Sequence, residues 1–218
     1  MTRIARILTA GTALLMAAGP AFAADSTEGA LVINGQINLA PVFSELNATI
    51  LTVTGDASAT STSVGNTATI ITNTDTVVHN NQYQGADVGS WLNAKVKGVG
   101  GDLSVWSTSV CNGASISTDP RLTKVDSVQK CNAYDPSANV FADVENVGGA
   151  VGIGAHAVAN QLEIDSDAAH FPVNNWQENH AGTFSTVNTS VRNVGAVGIQ
   201  STAVGNTAQI IHIGGHDK

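Results

Sequence analysis

The stretch Val64-Gly65-Asn66-Thr67-Ala68-Thr69-Ile70 recurs almost intact as Val204-Gly205-Asn206-Thr207-Ala208-Gln209-Ile210. Two looser copies lie between, Val110-Cys111-Asn112-Gly113-Ala114-Ser115-Ile116 and Val158-Ala159-Asn160-Gln161-Leu162-Glu163-Ile164. Their asparagines, Asn66, Asn112, Asn160 and Asn206, are spaced 46, 48 and 46 residues apart. A near-constant period of this length marks a repeat architecture, in which one unit cannot bury its apolar face alone and stacks on the next. Each copy reads Val, small residue, Asn, any residue, apolar, any residue, Ile. That alternation describes a β-strand entered through a turn. The four asparagines are therefore expected at equivalent turn positions along one edge of the stack, where Asn tolerates φ > 0.

The repeat extends upstream. A glycine precedes each asparagine by 11 residues: Gly55, Gly101, Gly149 and Gly195. After these glycines come the alternating pairs Ala57 and Ala59, Leu103 and Val105, Val151 and Ile153, and Val197 and Ile199. The glycines are expected to supply φ > 0 turns. A third alternating run lies further upstream, as in Val140, Ala142 and Val144. Four units of three short strands predict an all-β fold, a β-solenoid of four roughly 46–48-residue repeats. The polar and aromatic segments Asn80 to Gln84, Cys131 to Tyr134 and Asn174 to Glu178 are expected to be irregular inserts projecting on one side. The alternative is a β-sandwich built of duplicated hairpins.

Residues 1–23 have the form of a secretory signal peptide: Arg3 and Arg6, an apolar run from Leu8 to Ala18, then Ala21-Phe22-Ala23 as the cleavage site. The apolar run is too short to span a bilayer, and no later stretch is long and apolar enough. Two of the nine basic residues lie in this segment, so seven remain against 17 acidic ones. That balance argues against nucleic acid and anionic membranes as partners. Charged residues make up only 12% of the chain and aromatics 5%, a composition of secreted β-rich or fibrous proteins. In an exported chain the two cysteines, Cys111 and Cys131, read as one disulfide. It stabilises by about 3 kcal/mol on loop-entropy grounds.

Residues 24–46 form an N-terminal segment ahead of a four-repeat domain over 47–218. Asn34-Gly35, between apolar runs, predicts a capping hairpin; an extended arm donated to a neighbouring subunit is the alternative. Apolar residues stand near both ends, Leu31, Val32, Ile33, Ile37 and Leu39 at the start and Ala208, Ile210 and Ile213 at the finish. A bare sheet edge recruits other chains, so these residues are expected to join subunits end to end by strand addition.

No Gly-x-Ser-x-Gly elbow, His-Glu-x-x-His helix or phosphate loop is present. Gly100-Gly101-Asp102 is an isolated fragment of the calcium nonapeptide and is not repeated. No catalytic residues, metal ligands or cofactors are therefore expected.

The segments STSVGNTATI (61–70), AHAVANQLEI (155–164) and STAVGNTAQI (201–210) resemble the units of curlin-type bacterial surface proteins, and more closely the holdfast-anchor proteins of stalked bacteria. The chain departs from curlin in its longer period, in its long inserts and in largely lacking curlin's strand-end glutamines. The resemblance implies an exported β-solenoid that self-assembles head to tail into an extracellular fibre or a surface-anchoring structure. The alternative is a secreted monomeric solenoid that binds or cleaves polysaccharide.

Overall fold

The computed structural model describes residues 30–119, 122–132, 136–180 and 182–213. The predicted signal peptide and cleavage site lie outside them. Ten strands follow in order: β1 (Ala30–Asn38), β2 (Val42–Val53), β3 (Ala57–Thr72), β4 (Thr76–Gln84), β5 (Val88–Val99), β6 (Leu103–Thr118), β7 (Thr123–Cys131), β8 (Ser137–Ser166), β9 (Val173–Asn179) and β10 (Phe184–His212). The fold is all-β.

The chain makes four passes of the same shape, called layers here. Layer 1 is β1, β2 and β3, and layer 2 is β4, β5 and β6. In layers 3 and 4 the second and third strands fuse into the long β8 and β10, which follow β7 and β9. Every strand pairing among the described residues is parallel and joins one layer to the next. The first sheet runs β1-β4-β7-β9. The second runs β2-β5-β8-β10 along its first half, and β3-β6-β8-β10 along its second. Layers 1 and 2 are offset by 46 residues throughout, Ala30 on Thr76 and Ala57 on Leu103. Later offsets move between 46 and 48, as in Val125 on Val173 and Val197 on Val151. Loop length and a register shift between Val194 and Ala196 absorb the difference. Parallel, in-register pairing places equivalent residues directly above one another, about 4.8 Å apart.

The interior holds the alternate residues of all three strands. The main cluster joins Leu92, Val96, Val105, Val140, Val144, Val151 and Ile153. A second joins Ile70, Val78, Ile116, Val125, Leu162 and Ile164. Each such large side chain, fully buried, is worth about 1.5–3 kcal/mol.

Several sequence expectations are corrected. Asn34-Gly35 makes no hairpin: β1 runs straight through it, pairing with Asn80 and Asn81. Nor is 24–46 set apart from the repeats. Residues 30–38 are β1 of layer 1, and β2 crosses the expected boundary at 46. The segments 80–84, 131 and 174–178 are not projecting inserts. They lie in β4, β7 and β9, a side of the stack in its own right. Cys131 stands in register with Gln84 and Asn179. A sandwich of hairpins needs antiparallel pairs, and the described strands have none.

The left-handed backbone positions are not the repeat glycines. Positive φ occurs at Thr52, Gly98, Asn146 and Asn193, which share one column, one residue before the end of β2 and β5 and at the matching place within β8 and β10. Gly55, Gly101, Gly149 and Gly195 lie three residues or fewer downstream, and the upper three serve close approach to the layer beneath. The N–H of Gly101 donates to Gly55 O at 3.0 Å, and that of Gly149 to Gly101 O at 3.0 Å. A Cβ on Gly149 would stand 2.7 Å from Gly101 O.

Candidate assembly site: the interior ladders and the open end

The four asparagines occupy one column, but not in turns. They lie within strands, point inward and do not have positive φ. The inward alternation that includes Ser61 and Ser63 resumes at Asn66, so the strand changes phase at Gly65. The residue at this step is Gly65, Cys111, Ala159 or Gly205. A Cβ on Gly65 would meet Gln84 Oε1 at 2.5 Å and Cys111 O at 2.6 Å, which explains why the position stays small. The phase change turns the following amide into the interior. Asn66 Nδ2 donates to Asn112 Oδ1 at 2.8 Å, Asn112 to Asn160 at 2.8 Å and Asn160 to Asn206 at 2.7 Å. Each of the middle two also donates to a carbonyl of the layer above, Asn112 to Lys130 O at 3.0 Å and Asn160 to Glu178 O at 2.8 Å. Buried amides of this kind are stable only because the next layer supplies the partner.

A second ladder was not expected from the sequence. Gln36, Gln82, Gln129 and Gln177 form a column in the first sheet. Gln82 Nε2 donates to Gln36 Oε1 at 3.0 Å, Gln129 to Gln82 at 2.8 Å and Gln177 to Gln129 at 2.8 Å. Each Nε2 also donates to a carbonyl just beyond the asparagine column: Thr67, Gly113, Gln161 and Thr207. The absence of glutamines expected from the repeat cores is thereby corrected. They sit in the strands that had read as inserts.

A third series zips the two halves of the second sheet together. Ser61 Oγ donates to Ser44 Oγ, Ser90 to Ser61, Ser107 to Ser90 and Ser201 to Ser185, all at 2.8–2.9 Å. Layer 3 replaces both members by alanine, Ala138 and Ala155, so no hydroxyl loses its partner there.

Cys111 and Cys131 are bonded, with Cα atoms 6.0 Å apart. The bridge joins the small-residue step of layer 2 to the last position of the first sheet in layer 3. It lies against Ala159.

Layer 4 has the same columns, and among the described residues no layer lies above it. Val197, Ile199 and Ile210 are 50%, 54% and 47% exposed, whereas Val151, Ile153 and Ile164 beneath them are 2%, 0% and 0% exposed. Asn206 is exposed, and its Nδ2 reaches only Gln177 O at 3.4 Å in its own layer. Ala208 is exposed in the column of Leu162, and Ile213 lies beyond the strand with its N–H on Ser166 O at 3.1 Å. At the other end, Val32 points inward while Leu31, Ile33 and Ile37 point outward from the first sheet, with Leu39 exposed just after the strand. Those four thus belong to the side of layer 1 and not to its open face. Beside the end, Glu178 accepts hydrogen bonds from His180 and Lys130, which pull its carboxyl from 4.5 down to about 2.

The chain matches the family of HfaD, holdfast attachment protein D, over residues 17–216. It belongs to that family. The chain matches no curated protein and no solved structure. The holdfast-anchor half of the sequence resemblance is the half that the family supports. Among the described residues, no helix is long and apolar enough to cross a membrane, and no cluster of three or more His, Cys, Asp or Glu is placed to hold a metal.

Proposed function

We propose that this member of the holdfast attachment family is an exported β-solenoid of four layers, a structural rather than catalytic subunit. It assembles end to end into an extracellular fibre or anchoring structure at the cell surface. The observation that carries this reading is the bare end of layer 4. Its apolar column is identical in kind to the core beneath and stands half exposed. A monomeric solenoid ends in a polar or irregular cap. An uncapped edge offers unpaired N–H and C=O groups beside apolar side chains, which is an assembly surface. Because β1 is already the first strand of layer 1, the subunits join layer on layer and not by donation of a free N-terminal arm. Electron microscopy of the chain without residues 1–23 tests the reading. Filaments of constant width are expected; monodisperse particles at all concentrations would reject it.

A second reading, glycan binding, is favoured by one outer-face feature. A shallow cleft of about 460 Å³ is lined by Trp91 and Phe141 with Asn47, Asn93 and Glu45. Exposed aromatic surface beside amides and a carboxylate suits a sugar ring's apolar face and hydroxyls. Affinity electrophoresis in dextran or hydroxyethyl cellulose tests it; Trp91→Ala should abolish any retardation, and no retardation of the native chain counts against this reading.

A further inference from the structure

Resting on end-to-end assembly, we propose that the open face of layer 4 binds layer 1 of a second copy of this chain. The register is Asn206 on Asn66, and the interior ladders fix a head-to-tail polarity.

The ladders have direction. In the asparagine column each Nδ2 donates to the layer above. This leaves Asn206 with a donor facing up and Asn66 with an acceptor facing down. In the glutamine column each Nε2 donates to the layer below. Gln177 Oε1 is then left as an acceptor at the top and Gln36 Nε2 as a donor at the bottom, since its carbonyl bond to Thr67 uses one of two hydrogens. The serine zipper also donates downward between layers, Ser90 to Ser61. It ends with Ser201 as acceptor above and Ser44 as donor below.

Placing layer 1 of a second copy on layer 4 continues all three. Asn206 meets Asn66, Gln36 meets Gln177 and Ser44 meets Ser201, each donor opposite an acceptor. Asn206 also gains the carbonyl of Ile37, equivalent to Lys130 O and Glu178 O. The apolar columns continue as well, with Val197 and Ile199 covered by the layer that begins at Ala57 and Ala59. Layers 1 and 4 share Gly65 and Gly205 at the small-residue step, so the close backbone approach is kept. Two layer-4 faces related by a twofold axis would pair their strands antiparallel, and no column would continue. The join is heterologous, so each copy leaves the same pair of faces open for the next.

The native disulfide supplies the ruler. It links the column of Gly65, Cys111, Ala159 and Gly205 to the column of Asn38, Gln84, Cys131 and Asn179, one layer up. Across the proposed joint the corresponding pair is Gly205 of one copy and Asn38 of the next. The double variant Gly205→Cys/Asn38→Cys, oxidised after assembly, should run on a non-reducing gel as a series of dimers, trimers and higher multimers. Each single variant should run on the same gel as a monomer, and a mixture of the two should give dimers of unlike chains only. The substitution Ile199→Lys is exposed in the monomer, so it should leave the circular dichroism unchanged and abolish the multimers. Filaments that form normally while the double variant stays uncrosslinked would overturn this joint and leave fibre formation standing. Self-crosslinking of Gly205→Cys alone, or multimers that persist in Ile199→Lys, would also overturn it. Absence of filaments in the native chain would overturn the end-to-end reading itself.

Discussion

Layers 3 and 4 differ in surroundings more than in sequence. Val151-Gly152-Ile153 lies under Val197-Gly198-Ile199, and Asn160 lies under Asn206. Val151, Ile153 and Asn160 are among the most buried residues described, and the upper set faces water. The same residue types thus do two jobs. In layer 3 they are core, held by dispersion contacts and paired amides on both sides. In layer 4 they are half a core. The comparison teaches that in a stack of repeats a residue's energetic weight depends on whether a further layer arrives, and only secondarily on its identity.

Cutting the same side chain in both layers should break the symmetry most visibly. Ile153→Ala should lower unfolding free energy by about 2–5 kcal/mol, the range for a large aliphatic lost from a packed core. Ile199→Ala should cost less than about 1 kcal/mol in the monomer. Urea unfolding followed by circular dichroism measures both, and equal losses would mean that layer 4 is covered in solution.

The ladders sharpen the same contrast. Asn112→Ala removes an amide bonded to Asn66, Asn160 and Lys130 O. With buried groups left unpaired it should destabilise by about 3 kcal/mol. Asn206→Ala removes the acceptor of Asn160, on a face open to water, and should cost about 1 kcal/mol in the monomer. It should weaken assembly more than folding, measured as a raised critical concentration.

A smaller effect is expected at the left-handed corner. Layers 2, 3 and 4 place Gly98, Asn146 and Asn193 there, while layer 1 places the β-branched Thr52 at φ 56°. Left-handed backbone costs a residue with a branched Cβ about 1–2 kcal/mol. Asn193 Nδ2 donates to Asn146 Oδ1 at 3.1 Å, a bond that an amide at 52 cannot copy toward Gly98. Thr52→Asn should therefore raise stability by about 1 kcal/mol through backbone strain alone; a fall in melting temperature would show that Thr52 is held there by something else.

The smallest effect belongs to Glu178. Its carboxyl is held at about 2 by His180 first and then by Lys130. A depressed carboxyl pKa contributes stability above the unfolded value and loses it as pH falls through the folded one. The loss thus runs from about 4.5 down to about 2, and solvent exposure keeps it slight. An NMR titration should place the Glu178 midpoint well below its ordinary value of 4.5. Glu178→Gln should flatten the acid limb of the stability curve.

Some of this was legible in the residues. The spacing of Asn66, Asn112, Asn160 and Asn206 located a column correctly, because in-register stacking repeats a residue wherever its neighbours' contacts repeat. The glutamine column was equally present, but its steps drift through 46, 47 and 48. Its outward neighbours Ile37, Tyr83, Lys130 and Glu178 share nothing, so β4, β7 and β9 looked irregular. The left-handed column escaped notice because Thr52, Gly98 and Asn146 have no common signature. The repeat glycines drew the wrong reason: a flexible residue suggests a turn, but Gly149 is needed where two backbones pass within hydrogen-bonding distance.

By itself, then, the order of residues determined which side chains recur and at what interval, since parallel pairing converts a sequence period into a vertical column. Only the tertiary structure decided which way each column faces. The phase change at Gly65 sends Asn66 inward, and no alternation rule states where such a step falls. The tertiary structure also decided that Ile153 is core and Ile199 is surface. Burial is a property of the layer above as much as of the residue, and the described residues provide that layer for the first three copies and not for the fourth.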